Sequence, residues 1–200
     1  MNDAPTAPTG DTALTYSYRP SLLGAPWDFE LSHDVLRFQA GNKTGRIPLR
    51  NIRRIRMSFR PITMQSQRYL TEIWAEQAPK LEICSSSWRS MIEQERRDSA
   101  YAIFIAELHK RVSRVGTPVL YERGTGPLRY WLGAIVFVAV AAVLAALIVR
   151  GLQAETWRGT AVVGAFAVFF IWQVGNYFRR NRPGQYEPDE LPVTIMPKRP

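Results

Sequence analysis

A net charge of +9 on 200 residues, with one cysteine and two histidines, excludes several classes at the outset. One cysteine permits no intrachain disulfide and no cysteine-cluster zinc or iron–sulfur centre; with no P-loop, dinucleotide fingerprint or HExxH motif in the chain either, neither metal nor cofactor is expected. The mean hydropathy of −0.18 is that of a soluble protein, yet the apolar residues are segregated: most of the excess lies between Tyr130 and Phe178.

Residues 1–22 are rich in Pro, Thr and Gly and lack a basic start followed by an apolar run, so a disordered lead is expected rather than a signal peptide. Residues 23–116 read as a soluble domain. From Trp27 to Trp88 the period is two: Trp27, Phe29 and Leu31, then Leu36, Phe38 and Ala40, with turns at Ser32–Asp34 and Gly41–Lys43. Ile47 and Leu49 restart the alternation, Ile52 follows, and Ile55, Met57 and Phe59 continue after a one-residue slip that predicts a bulge. Tyr69, Thr71 and Ile73 form a further run, as do Leu81 and Ile83. From about Ser90 to Val115 the spacing of Tyr101, Phe104, Ile105, Leu108 and Val112 is helical. Residues 117–129, punctuated by Pro118, Gly124, Gly126 and Pro127, read as a linker.

The order of strands followed by one closing helix resembles the pleckstrin-homology-like (PH-like) superfold, in the form found on small bacterial membrane proteins. The resemblance covers Trp27 to about Val115 and is carried by Gly45–Phe59, where Ile47-Pro48-Leu49-Arg50-Asn51-Ile52-Arg53-Arg54-Ile55 has the "I-x-x-I-x-x-v" strand pattern of such domains. It implies a fold and a membrane association but no reaction. This chain departs from the common arrangement in placing its apolar helices after the domain.

Tyr130–Val149 holds twenty uncharged residues, about 30 Å as a helix, the thickness of a hydrocarbon core. A second uncharged segment runs over 160–178, after a short loop at 150–159. Lys110, Arg111, Arg114, Arg123 and Arg129 precede the pair and Arg179, Arg180 and Arg182 follow it, against Arg150 and Arg158 in the loop. The positive-inside rule puts both termini in the cytoplasm of an inner-membrane protein. Gln173 and Asn176, three apart on one helical face, are candidate helix–helix or subunit contacts. Residues 179–200, with five prolines, read as an extended cytoplasmic tail able to lie along a partner. The expected fold class is α+β: a small antiparallel sheet or partly open barrel capped by one C-terminal amphipathic helix, then a two-helix transmembrane hairpin.

No catalytic signature is legible. Ser32, His33 and Asp34 are sequence neighbours, which is not how a catalytic triad is assembled. His109 is expected at the helix surface and Cys84 as a small buried hydrophobe. The feature above background is a basic cluster, Arg46, Arg50, Arg53, Arg54, Arg56 and Arg60, with Arg54 and Arg56 pointing out from the strand. Near an anionic bilayer each arginine contributes about 1 kcal/mol. Nucleic acid is disfavoured, because no aromatic platform is interleaved with the arginines. The expected function is therefore a non-enzymatic, membrane-anchored binding or scaffolding module that contacts anionic lipid headgroups or an acidic protein. The alternative is an accessory subunit packing on a larger membrane complex, or a self-associating one.

Overall fold

The computed structural model of the chain describes residues 13–21, 23–60, 67–88 and 94–197. Most of the expected lead, the expected helix start at Ser90 and the chain end from 198 lie outside the described residues.

The first sheet is an antiparallel meander of β1 (Leu14–Tyr18), β2 (Trp27–Leu31), β3 (Val35–Ala40) and β4 (Lys43–Pro48). Strand β1 corrects one expectation, since it falls in the stretch read as disordered. Its Leu14, Tyr16 and Tyr18 alternate with Thr15 and Ser17, and the two tyrosines are buried. Their hydroxyls remain satisfied by donating to the carbonyls of Cys84 (2.5 Å) and Glu82 (2.6 Å), which makes burial of two polar rings affordable. Gly41, at φ +62°, makes the tight turn into β4.

After a short 3₁₀ turn at Leu49–Asn51, β5 (Ile52–Phe59) opens the second sheet with β6 (Tyr69–Ala75) and β7 (Leu81–Cys84), antiparallel in turn. The register slips between Ile52 and Arg54, where the sequence pattern slips. β8 (Ser86–Trp88) and β9 (Gln94–Arg96) pair where the helix was expected to begin, and α1 runs over Asp98–Arg114. Phe104 of α1 lies 5.7 Å from the Tyr16 ring and 6.5 Å from Phe29, while the Tyr101 hydroxyl shares a 2.6 Å hydrogen bond with Thr71 of β6. One helix thus joins both sheets around a continuous core.

The segment read as a linker contains β10 (Leu120–Arg123), which adds to the far edge of β5 in parallel, with Glu122 opposite Arg56. Then follow α2 (Pro127–Gln153) and α3 (Trp157–Arg180), about 40 and 36 Å long. Both are long and apolar enough to cross a membrane. Pro127 occupies the first turn, where its missing N–H costs nothing. The helices lie antiparallel: Tyr130 meets Phe178 at 5.4 Å at one end, and a Cβ on Gly151 would sit 2.2 Å from the Thr160 hydroxyl at the other. They outrun the expected spans, so the connection shrinks to 154–156 and Arg150 and Arg158 lie within helices. An uncharged stretch marks where a helix is apolar, and the helix itself ends only where its backbone hydrogen bonding stops.

The tail does not extend away. Strand β11 (Gly184–Gln185) pairs with β10, Ile195 enters the core, and Tyr186, Leu191 and Met196 pack against it. Pro188 lies in a turn and Pro192 precedes a 3₁₀ turn at Val193–Ile195, while the apolar residues around them find cover on the chain's own domain. The return is possible because Gly124 has no side chain. Its φ is +79°, and a Cβ there would lie 2.4 Å from the Asn181 carbonyl oxygen. Gly124→Ala should therefore destabilise the domain by about 2 kcal/mol or more, from left-handed strain and a backbone clash together. Thermal unfolding and protease sensitivity of the tail measure it; a variant with wild-type stability and a protected tail contradicts the packing described.

Candidate functional site

The six arginines of the basic cluster do not form one site. Arg46 and Arg50 are exposed and make no ion pair among the described residues. Arg50 lines a cleft of about 760 Å³ together with His33, Asp34, Arg111 and Arg114. Arg53 donates to Glu76 at 2.8 Å and holds that carboxyl below its usual range. Arg60 lies 3.8 Å from the buried Glu72.

Arg54 and Arg56 do point away from the core, as expected, but they are not free. Both close on Glu122 of β10: Arg54 through Nε (2.9 Å) and Nη2 (2.6 Å), Arg56 through Nε (2.8 Å) and Nη2 (2.6 Å). Burial raises the pKa of Glu122, but the two guanidiniums more than offset this and hold the carboxyl below its usual range. The same guanidiniums stack over Trp74, at 4.9 and 5.4 Å from the ring. Their main task is to dock β10 on β5. The sequence concealed this because Glu122 is 66 residues from Arg56.

Beside this ion pair, where the domain meets the ends of α2 and α3, lies a second cleft of about 790 Å³. Arg56, Arg60, Lys80 and Arg129 provide its cations, and among the described residues Glu72 is the one carboxylate on its wall. Lys80 is partly neutralised, 2.9 Å from Glu72 and 2.6 Å from Glu82, and both carboxylates raise its pKa. Trp74, Tyr130, Tyr177 and Phe178 form the aromatic part. Sequence reasoning found Arg56 and Arg60 but missed Lys80 and Arg129, which only the fold brings to them.

Gln173 and Asn176 are half-buried on α3, and the Asn176 side-chain oxygen accepts from Arg179 at 3.2 Å. Cys84 is buried and its thiol pKa is raised by that burial, so it stays protonated. Among the described residues no group of three or more His, Cys, Asp or Glu side chains is placed to hold a metal ion.

His109 departs from the expected surface position: it is fully buried. Its Nδ1 lies 2.7 Å from the Ile105 carbonyl, which only accepts, so Nδ1 carries the proton. Nε2 then accepts from the Tyr186 hydroxyl at 2.7 Å. The tail supplies the cover that α1 alone lacks. Burial lowers the pKa of His109 to about 4, against a smaller opposing effect of the Ile105 carbonyl.

A depressed histidine pKa contributes stability that is fully present above the unfolded value of 6.5 and is lost as pH falls toward about 4. The loss across that window amounts to about 3 kcal/mol. Chemical unfolding of the full chain in detergent should show stability falling between pH 6.5 and 5, above the range where paired carboxylates titrate. His109→Gln should flatten that slope; an equal slope in the variant would assign it elsewhere.

Scans against protein-family models, curated proteins and solved structures find no match to this chain.

Proposed function

We propose that this chain is a non-enzymatic binding module held in a bacterial cytoplasmic membrane by its two apolar helices, with a PH-like domain presented to the anionic inner leaflet. The observation that carries this is the seam between domain and helices. The Asn181 side-chain oxygen accepts from the Phe59 N–H (3.0 Å), its carbonyl accepts from Thr125 N–H (3.1 Å), and Arg180 stacks 4.7 Å over the Phe59 ring. A domain on a loose tether samples any orientation, whereas this seam keeps one basic face, bearing Arg60 and Arg129, at the level of the helix ends. The order of a four-stranded meander, a second sheet and one closing helix supports the PH-like reading. The basic flanks of both helices support cytoplasmic termini. The accessory-subunit reading loses the tail as a docking arm, since the tail is occupied on its own domain, and keeps only the exposed helix faces.

On this reading Glu155→Cys, at the hairpin tip, reacts with an impermeant thiol reagent from outside intact cells, while the buried Cys84 stays silent. Labelling only after the cells are opened reverses the topology. In mild detergent the chain should run free of other polypeptides; stoichiometric recovery within a larger complex favours the accessory-subunit reading.

A further inference from the structure

We infer that the cleft of about 790 Å³ at the seam is a lipid-headgroup site, taking the phosphodiester of an anionic glycerophospholipid. This rests on the membrane reading above and assigns its ligand a place. The volume falls within the roughly 300–1,000 Å³ of small-ligand sites.

The cleft has two unlike walls. On the domain side, Arg56 donates to Glu122 through Nε and Nη2, but among the described residues its Nη1 donates no hydrogen bond. It faces Gly126, where a Cβ would come within 3.5 Å of it. Arg60 is held only at 3.8 Å by Glu72, and Arg129 is exposed with no ion pair among the described residues. Around the cleft five cations (Arg54, Arg56, Arg60, Lys80 and Arg129) meet three carboxylates (Glu72, Glu82 and Glu122), leaving positive charge unspent. Guanidinium forks match phosphate oxygens in geometry as well as charge.

On the helix side the wall is Pro127, Leu128, Tyr130, Tyr177 and Phe178. It continues into the exposed apolar surface of α2 at Leu128 (82% exposed) and Leu132 (62%). A free phosphate would use the first wall and leave the second wet. A lipid uses both, its phosphate among the arginines and its glycerol and acyl chains along the rings, where aromatic side chains sit at a bilayer boundary.

Calorimetric titration of the full chain in uncharged detergent tests this, with short-chain phosphatidylglycerol, short-chain phosphatidylcholine and inorganic phosphate as probes. Phosphatidylglycerol should bind once per chain and at least tenfold tighter than either other probe. Arg60→Gln with Arg129→Gln should weaken it roughly 30-fold, at about fivefold per charge. Arg129→Gln alone, which disturbs no ion pair among the described residues, should weaken it about fivefold. The charge-matched pair Arg46→Gln and Arg50→Gln should leave it unchanged. Equal binding of inorganic phosphate overturns the lipid assignment. An equal loss in the Arg46 and Arg50 pair overturns the cleft and leaves a diffuse basic surface, with the anionic-leaflet reading standing. No preference for phosphatidylglycerol over phosphatidylcholine defeats the cleft and that reading together.

Discussion

Asn181 is the hinge pin of this structure. It is fully buried at the C-terminal end of α3, and each of its polar groups is committed. Its Nδ2 donates to the Tyr177 carbonyl, its Oδ1 accepts from the last residue of β5, and its own carbonyl accepts from Thr125. A buried amide with every group satisfied specifies one arrangement, because any displacement strands a polar group away from water. Helix end, sheet and the link between β10 and α2 are therefore positioned by one residue. The close approach of Gly124 to the Asn181 and Arg182 carbonyls is its steric counterpart.

From that pin the second sheet acquires its outer strands. The chain leaves the domain through β10, makes the helical hairpin and comes back as β11 on β10's free edge. Pairing of β10 along β5 is parallel, which a short connection cannot make, and the connection here includes α1. Glu122 then acts as the clasp, with two guanidiniums on one carboxylate and Trp74 beneath them. An exposed ion pair contributes little. This one is largely shielded, with side-chain exposures of 34%, 16% and 20% for Arg54, Arg56 and Glu122, and it is bidentate. The arginines that look like a binding face on one strand are thus divided between holding the fold and facing the cleft.

His109 belongs to the same pattern. On α1 it stands beside Lys110, and its burial becomes intelligible only when Tyr186 is laid over it from the tail. The rings of His109, Tyr121 and Tyr186 lie within 5.5–5.8 Å of one another, so helix, β10 and tail meet in one aromatic cluster. Burial raises both tyrosine hydroxyls, Tyr121 to about 12. All three groups are held neutral, as a dry contact between segments requires.

The sequence by itself determined what local periodicity encodes. The alternation of Phe29, Leu31, Leu36 and Phe38 marked the meander, the slip before Ile55 marked the irregular register, and the spacing from Tyr101 to Val112 marked α1. Two uncharged runs marked the long apolar helices, because apolar length is a property of consecutive residues. Tertiary structure alone decided which charges are spent and which remain. Arg54 and Arg56 read as free because Glu122 lies across the whole of α1 from them, and His109 read as exposed because its cover arrives after two long helices. Lys80 and Arg129 join Arg56 only through the packing of β6, β7 and α2. β1 was missed because the Pro-, Thr- and Gly-rich stretch around it reads as disordered although its partner β2 is the next strand, and β10 because its partner β5 lies across α1. Hydrophobic pattern is written locally along a chain, whereas ion pairs, caps and clefts depend on where the chain returns, and here that return is set by Asn181, Gly124 and the tail.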